Sequence, residues 1–185
     1  MNRAETSRIV PKQKFQWQWM IFYCELLGLA IVIGGLLMII AAVIPAVFNS
    51  FGMEPAGRFL RRVFDGYTQI SMGVVIFLFG MAAVRVWRNQ VSTGIGFPLT
   101  TTEAILLGSM GCITVLIMWV LGPQTVALQE LAFEATTELD KKAAYDEFFR
   151  LHMVVRALHL MNVGVAIGLF VFKLRQGLTG RISFC

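Results

Sequence analysis

The chain has 185 residues, of which 57% are hydrophobic and 15% charged, with a formal net charge of +5. A water-soluble domain is about a quarter charged, so this composition excludes an ordinary soluble fold. The length leaves no room for a large soluble domain beside several membrane spans.

Residues 1–18 are a polar tail. Long runs without Asp, Glu, Lys or Arg then follow at 26–53, 66–84 and 104–129, with a shorter one at 157–172. A bilayer core needs about 20 mainly apolar helical residues, so the runs predict four transmembrane helices at 19–47, 64–86, 102–122 and 149–173. Ile113 to Leu121 shows no alternation of polarity, which argues against a membrane barrel. The first apolar run is too long for a secretory signal and lacks a small-x-small cleavage site. It is read as a retained span, with Pro45 marking a kink or its end.

The connections carry their own signals. Residues 49–62 are punctuated by Gly52, Pro55 and Gly57, and residues 89–101 by Gly94, Gly96 and Pro98. Thr100 to Thr102 offer N-cap hydroxyls for the third helix, with Glu103 in its first turn, where a carboxylate suits the helix dipole. Residues 124–148 lack Gly and Pro and predict an acidic, extramembrane helical connection with a break. There Glu130, Glu134 and Glu138 recur every four residues, and Glu138–Lys142 and Asp146–Arg150 are spaced as i,i+4 ion pairs. This face is read as solvated, the alternative being a cation- or partner-binding face. Residues 174–185 are a C-terminal tail. No internal repeat or low-complexity tract is evident.

Basic residues near helix ends set orientation. Arg3, Arg8, Lys12, Lys14, Arg85, Arg88, Lys173, Arg175 and Arg181 fall on one side. Arg58, Arg61, Arg62, Lys141, Lys142 and Arg150 fall on the other. Nine against six places both termini in the cytoplasm. Trp17, Trp19, Trp87 and Trp119 lie near predicted helix ends, as interfacial rings do. The fold class is therefore all-α, an integral membrane four-helix bundle in the bacterial cytoplasmic (inner) membrane. The lipid bilayer is its first partner. The net positive charge is that of residues flanking spans and facing anionic lipid, and no nucleic acid is expected. Cys24, Cys112 and Cys185 form no CxxC, and the first two lie within spans, so they read as apolar fillers rather than a disulfide framework.

Ionisable groups at membrane depth are costly, so each is a functional candidate. Glu25 is an intramembrane carboxylate about two turns into the first helix. On the fourth, His152, Arg156, His159 and Asn162 are spaced four, three and three, which gathers them into one polar stripe. Gly164 and Gly168 follow as a GxxxG, a helix-packing signature. Asp65 precedes the second run as Arg156 precedes the fourth, so Asp65 is the expected ion-pair partner of Arg156; the competing reading has Arg156 snorkelling outward. No catalytic residue, resident metal or cofactor is expected. A Ser–His–Asp elbow, a phosphate loop and an HExxH motif are all missing from the sequence, which argues against an enzyme. The alternative is a small-molecule, proton or metal-handling protein using the helix-four stripe. In it His152 or His159 would hold haem with a methionine such as Met72, or copper with soft ligands.

Four passages resemble the poorly characterised membrane family that includes eukaryotic transmembrane protein 205 and related bacterial domains of unknown function. They are Gly34-Gly35 through Ile44-Pro45-Ala-Val-Phe48, Arg62-Val-Phe64-Asp-Gly-Tyr67, Trp119-Val-Leu-Gly-Pro123-Gln-Thr125 and Phe148-Phe149-Arg-Leu-His152. The resemblance implies an integral membrane protein with no settled activity, and of the stripe it carries over His152. Where the family has a hydroxyl residue and an asparagine on the fourth helix, this chain has Val155 and His159. The favoured expectation is a non-enzymatic accessory subunit or scaffold that packs against other membrane subunits or further copies of itself.

Overall fold

A computed structural model describes residues 12–91 and 99–182, and these are entirely helical apart from short connections. The elements run α1 (Lys12–Met38), a π-helical turn (Ile39–Val43), α2 (Ile44–Ser50), α3 (Met53–Val91), α4 (Thr101–Leu116), a second π-turn (Ile117–Leu121), α5 (Gly122–Glu134) and α6 (Glu138–Ile182). Four continuous helical stretches, Trp19–Ser50, Glu54–Arg88, Thr101–Glu134 and Glu138–Thr179, are long and apolar enough to cross a membrane. They form an antiparallel ring in which α1 and α4 each lie between α3 and α6.

The helices overrun the expected spans. Helix α1 begins at Lys12, ahead of the span expected from 19, α3 takes in most of the 49–62 connection, and α6 runs on to Ile182. Helical hydrogen bonding continues past the apolar stretch until something stops it, and the punctuation residues do not. Pro55 sits in the first turn of α3, where its missing N–H costs nothing. Gly57 marks a close approach instead of a turn: a Cβ there would lie 3.1 Å from Gln129 Nε2 on α5.

Pro45 does not end the first span. A proline inside a helix lacks an N–H and its ring collides with the carbonyl four residues back. Both interior prolines are preceded by a π-turn, and each falls in the opening turn of the next helical segment. The wider turn takes up the misfit, and helicity persists to Ser50 and Glu134.

Two threonine caps form, the first of them expected from the sequence. Thr100 Oγ1 accepts from the Glu103 N–H at 3.2 Å, and Thr137 Oγ1 accepts from the Asp140 N–H at 3.2 Å. The second opens α6 after the break at residues 135–137. That break separates Glu138 from Glu130 and Glu134, so the three do not share one continuous helix face. Glu130 instead accepts from Arg61 on α3 at 3.0 Å. Among the described residues neither Glu138–Lys142 nor Asp146–Arg150 is an ion pair.

The core lies on the ring's axis and includes Leu29 and Val32 of α1, Leu78 of α3, Met110 of α4 and Leu169 of α6. Large apolar side chains such as Leu27, Ile76, Ile105 and Val171 point outward. Apolar residues on both surfaces are what lipid allows, since tails are as apolar as leucine. Cys112 is among the outward residues and Cys24 is half-buried, so Cys112 is no core filler. Cys185 falls outside the described residues.

Candidate functional site

One residue from each long helix meets at the end of the bundle where α1 begins and α6 ends. They are Glu25 on α1, Arg85 on α3, Glu103 on α4 and Lys173 on α6. Lys173 Nζ lies 2.8 Å from Glu25 Oε2 and 2.5 Å from Glu103 Oε1. Arg85 Nη2 is 3.2 Å from Glu25 Oε1. Arg85 also donates to Glu103 through both terminal nitrogens. Each base therefore touches both carboxylates. Glu103 is fully buried, Glu25 and Lys173 are 2% exposed, and the Arg85 side chain is 11% exposed.

Two positive and two negative charges cancel. Burying an ion costs several kcal/mol unless close pairing and hydrogen bonds compensate, and four mutual contacts supply that here. The arrangement ties all four helices at one point. Arginine holds the most exposed of the four places, and its fork reaches oxygens of both carboxylates while its Nε stays buried without a partner.

Glu25 stands out in the sequence, but its partners do not. Arg85 and Lys173 read as lipid-flanking cations, and Glu103 as a helix-dipole residue. The available signal was that an antiparallel four-helix topology brings Glu25, Arg85, Glu103 and Lys173 to the same end with balanced signs.

The helix-four stripe is divided by the fold. His159 is buried, with its ring 5.7 Å from that of Phe64 and 5.6 Å from that of Tyr67, centroid to centroid. Asn162 is buried and donates from Nδ2 to Thr114 Oγ1 at 3.1 Å. Tyr67 donates to the Val32 carbonyl at 3.1 Å. His152 is half-buried and stacks on Phe148 of its own helix. Arg156 and Asp65 are both exposed, and no ion pair joins them among the described residues. The buried face of α6 is set by His159, Asn162, Ala166, Leu169 and Lys173, at helical i,i+3 and i,i+4 spacing. Arg156 falls off that face and is exposed, in keeping with the outward reading rather than with an Asp65 pair.

Gly164 and Gly168 also fall off it. A Cβ at either would meet nothing within 4 Å, so this GxxxG is not where helices of the bundle meet. Close approach occurs instead at Gly111, whose Cβ would lie 3.0 Å from Phe79, and at Gly177, 2.7 Å from Phe22. His159 and Lys173 are fourteen residues apart, about 21 Å along the helix, so the stripe and the charge cluster are separate features. Among the described residues no group of three or more His, Cys, Asp or Glu could hold a metal ion.

These placements give a direct contrast. Asn162→Leu removes an interhelical hydrogen bond and is expected to destabilise the bundle by about 1 kcal/mol, the usual scale in membranes. Gly164→Ala, on the open face, is expected to leave the melting temperature in mild detergent unchanged. Equal melting of the two variants would place Asn162 outside the packed interior.

Residues 27–134, 108 of the 185, match the family described as "Domain of unknown function (DUF4149)". The match takes in Arg85 and Glu103, while Glu25 and Lys173 lie beyond it. No curated protein and no solved structure matches the chain.

Proposed function

Since the chain belongs to the DUF4149 family, whose activity is undefined, we propose that it is a non-enzymatic accessory subunit or scaffold of a membrane assembly. One observation carries this reading: Glu25, Arg85, Glu103 and Lys173 neutralise one another inside the bundle. Charges engaged in this way hold helices together. They leave no unpaired carboxylate or base in the cluster to bind an ion or attack a substrate. What the protein offers to others is its outer surface, which is apolar and open at glycines such as Gly73, Gly80, Gly164 and Gly168. Small residues on a lipid-facing helix let another helix approach closely. The partners are the bilayer and other membrane subunits or further copies of this chain.

The same reading puts both termini in the cytoplasm of a bacterium. Its support is the excess of basic residues on the terminal side. With Arg85 and Lys173 assigned to the neutral interior cluster, that excess narrows to seven against six, so reporter fusions at the two ends are the appropriate check.

The functional test is purification in mild detergent from native expression levels, followed by a native gel and an absorption spectrum. The expected result is migration with an assembly far larger than one 20.7 kDa chain. A monomer carrying a Soret band or stoichiometric copper would overturn the proposal. It would favour the alternative in which His159, buried against Tyr67 and Phe64, handles a metal, a proton or a small molecule.

A further inference from the structure

We infer that the chain is an internal duplication: two helical hairpins, α1–α2–α3 and α4–α5–α6, related by an approximate two-fold axis running along the bundle through the charge cluster. The first helices of the two hairpins carry the clearest record. Glu25, Leu29, Val32, Leu36 and Ile39 are all buried. Buried residues recur 78 residues later, at Glu103, Leu107, Met110, Thr114 and Ile117, although buried Gly28 falls on half-buried Leu106 and half-buried Ile33 on buried Gly111. The π-turns, Ile39–Val43 and Ile117–Leu121, and the prolines behind them, Pro45 and Pro123, keep the same separation. A shared apolar stripe would arise in any two amphipathic helices. A shared stripe in phase with a π-turn, a proline and a buried glutamate is far more specific, because each of these is rare in a span.

The second helices correspond at a separation of 95 residues. The buried positions Tyr67, Thr68, Ser71, Leu78 and Ala82 then fall on Asn162, Val163, Ala166, Lys173 and Gly177, which are also buried, while buried Val75 falls on half-buried Phe170. Gly73 and Phe77 fall on Gly168 and Phe172. Tyr67 and Asn162 perform matching tasks, each donating a hydrogen bond to the first helix of its own hairpin. The difference between the two separations, 17 residues, is the extra length of the acidic connection in the second hairpin.

The packing has the symmetry such a duplication requires. In the ring each first helix lies between the two second helices, and α2 packs on α3 as α5 packs on α6. At the axis the equivalent carboxylates Glu25 and Glu103 face both bases. The symmetry breaks at the bases. Lys173 occupies the place of Leu78, whose Cδ2 lies 3.9 Å from where a Gly28 Cβ would be, one turn from Glu25. Arg85 reaches the same carboxylates from two turns further along α3. Parallel repeats about an axis along the membrane normal are a known way to build membrane proteins.

The test is a set of electron-spin distances in the full-length chain in detergent, with Cys24, Cys112 and Cys185 replaced by serine. Spin labels go on the outward, equivalent positions Leu27 and Ile105, and Ile76 and Val171, where they face lipid and leave packing intact. The distance between 27 and 76 is expected to equal that between 105 and 171. The distance between 27 and 171 is expected to equal that between 76 and 105. Agreement of both pairs to within about one helical turn, 5.4 Å, supports the duplication. A larger mismatch in either pair would overturn it.

Discussion

Glu103→Gln is expected to destabilise the protein by about 3–5 kcal/mol, the cost of leaving a buried charge uncompensated. Glu103 is fully buried and meets both Arg85 and Lys173. Without it, two bases share Glu25, and the interior of α3, α4 and α6 carries a net positive charge with no water to solvate it. Glu130→Gln is the control. Glu130 also meets an arginine, Arg61, at 3.0 Å, but its side chain is 48% exposed. Exposed pairs contribute about 0–1 kcal/mol, so this variant is expected to melt close to the parent. Unfolding followed by circular dichroism in mild detergent reads both. Equal, small losses would mean that the cluster is solvated and does not tie the helices.

Leu29→Ala is the second large effect, expected at about 2–5 kcal/mol. Leu29 is fully buried on the axis between the four helices. In lipid the driving force is packing rather than escape from water, so the loss is of dispersion contacts around the cavity the truncation opens. Leu27 is two residues away and 63% exposed. Leu27→Ala exchanges one lipid contact for another and is expected to change stability by less than about 0.5 kcal/mol. A reversed order of the two would mean that α1 is rotated from the orientation described here.

Much of this architecture could be read from the residues because lipid imposes a simple rule. A helix must be long and apolar to cross; three charge-free runs come close to that rule or meet it alone, and the fourth, at 157–172, does so once the segment before it is included. Thr100 declared itself as a cap by chemistry alone. The interior polar contacts were harder, because a lysine at the end of a span has two physically sensible fates. Lys173 reads equally well as a cation reaching for headgroups or as a partner for a carboxylate on another helix. Only the relative rotation of α1, α4 and α6 decides between them. The same rotation separates Asn162, which faces Thr114, from Arg156, which faces away, although their spacing puts them near one stripe. Gly164 and Gly168 mislead for the same reason: GxxxG says that a helix can approach closely, without saying which one.

The repeat was hidden for a different reason. Leu36 corresponds to Thr114, Tyr67 to Asn162 and Leu78 to Lys173, so identity is lost at the informative positions. The two hairpins also differ in connection length, which puts their helices out of step along the chain. What persists is burial phase together with the π-turn and proline, and burial is visible only in the folded molecule.

The measurement that tests the account most directly is a double-mutant cycle on Glu103→Gln and Lys173→Met, by unfolding in detergent. Each single change leaves an uncompensated charge at depth, while the pair together leaves Glu25 with Arg85 and no net charge. The account predicts that the double variant regains most of the stability lost by either single variant. Losses that simply add would contradict it, because they would show that the two side chains do not compensate each other inside the bundle.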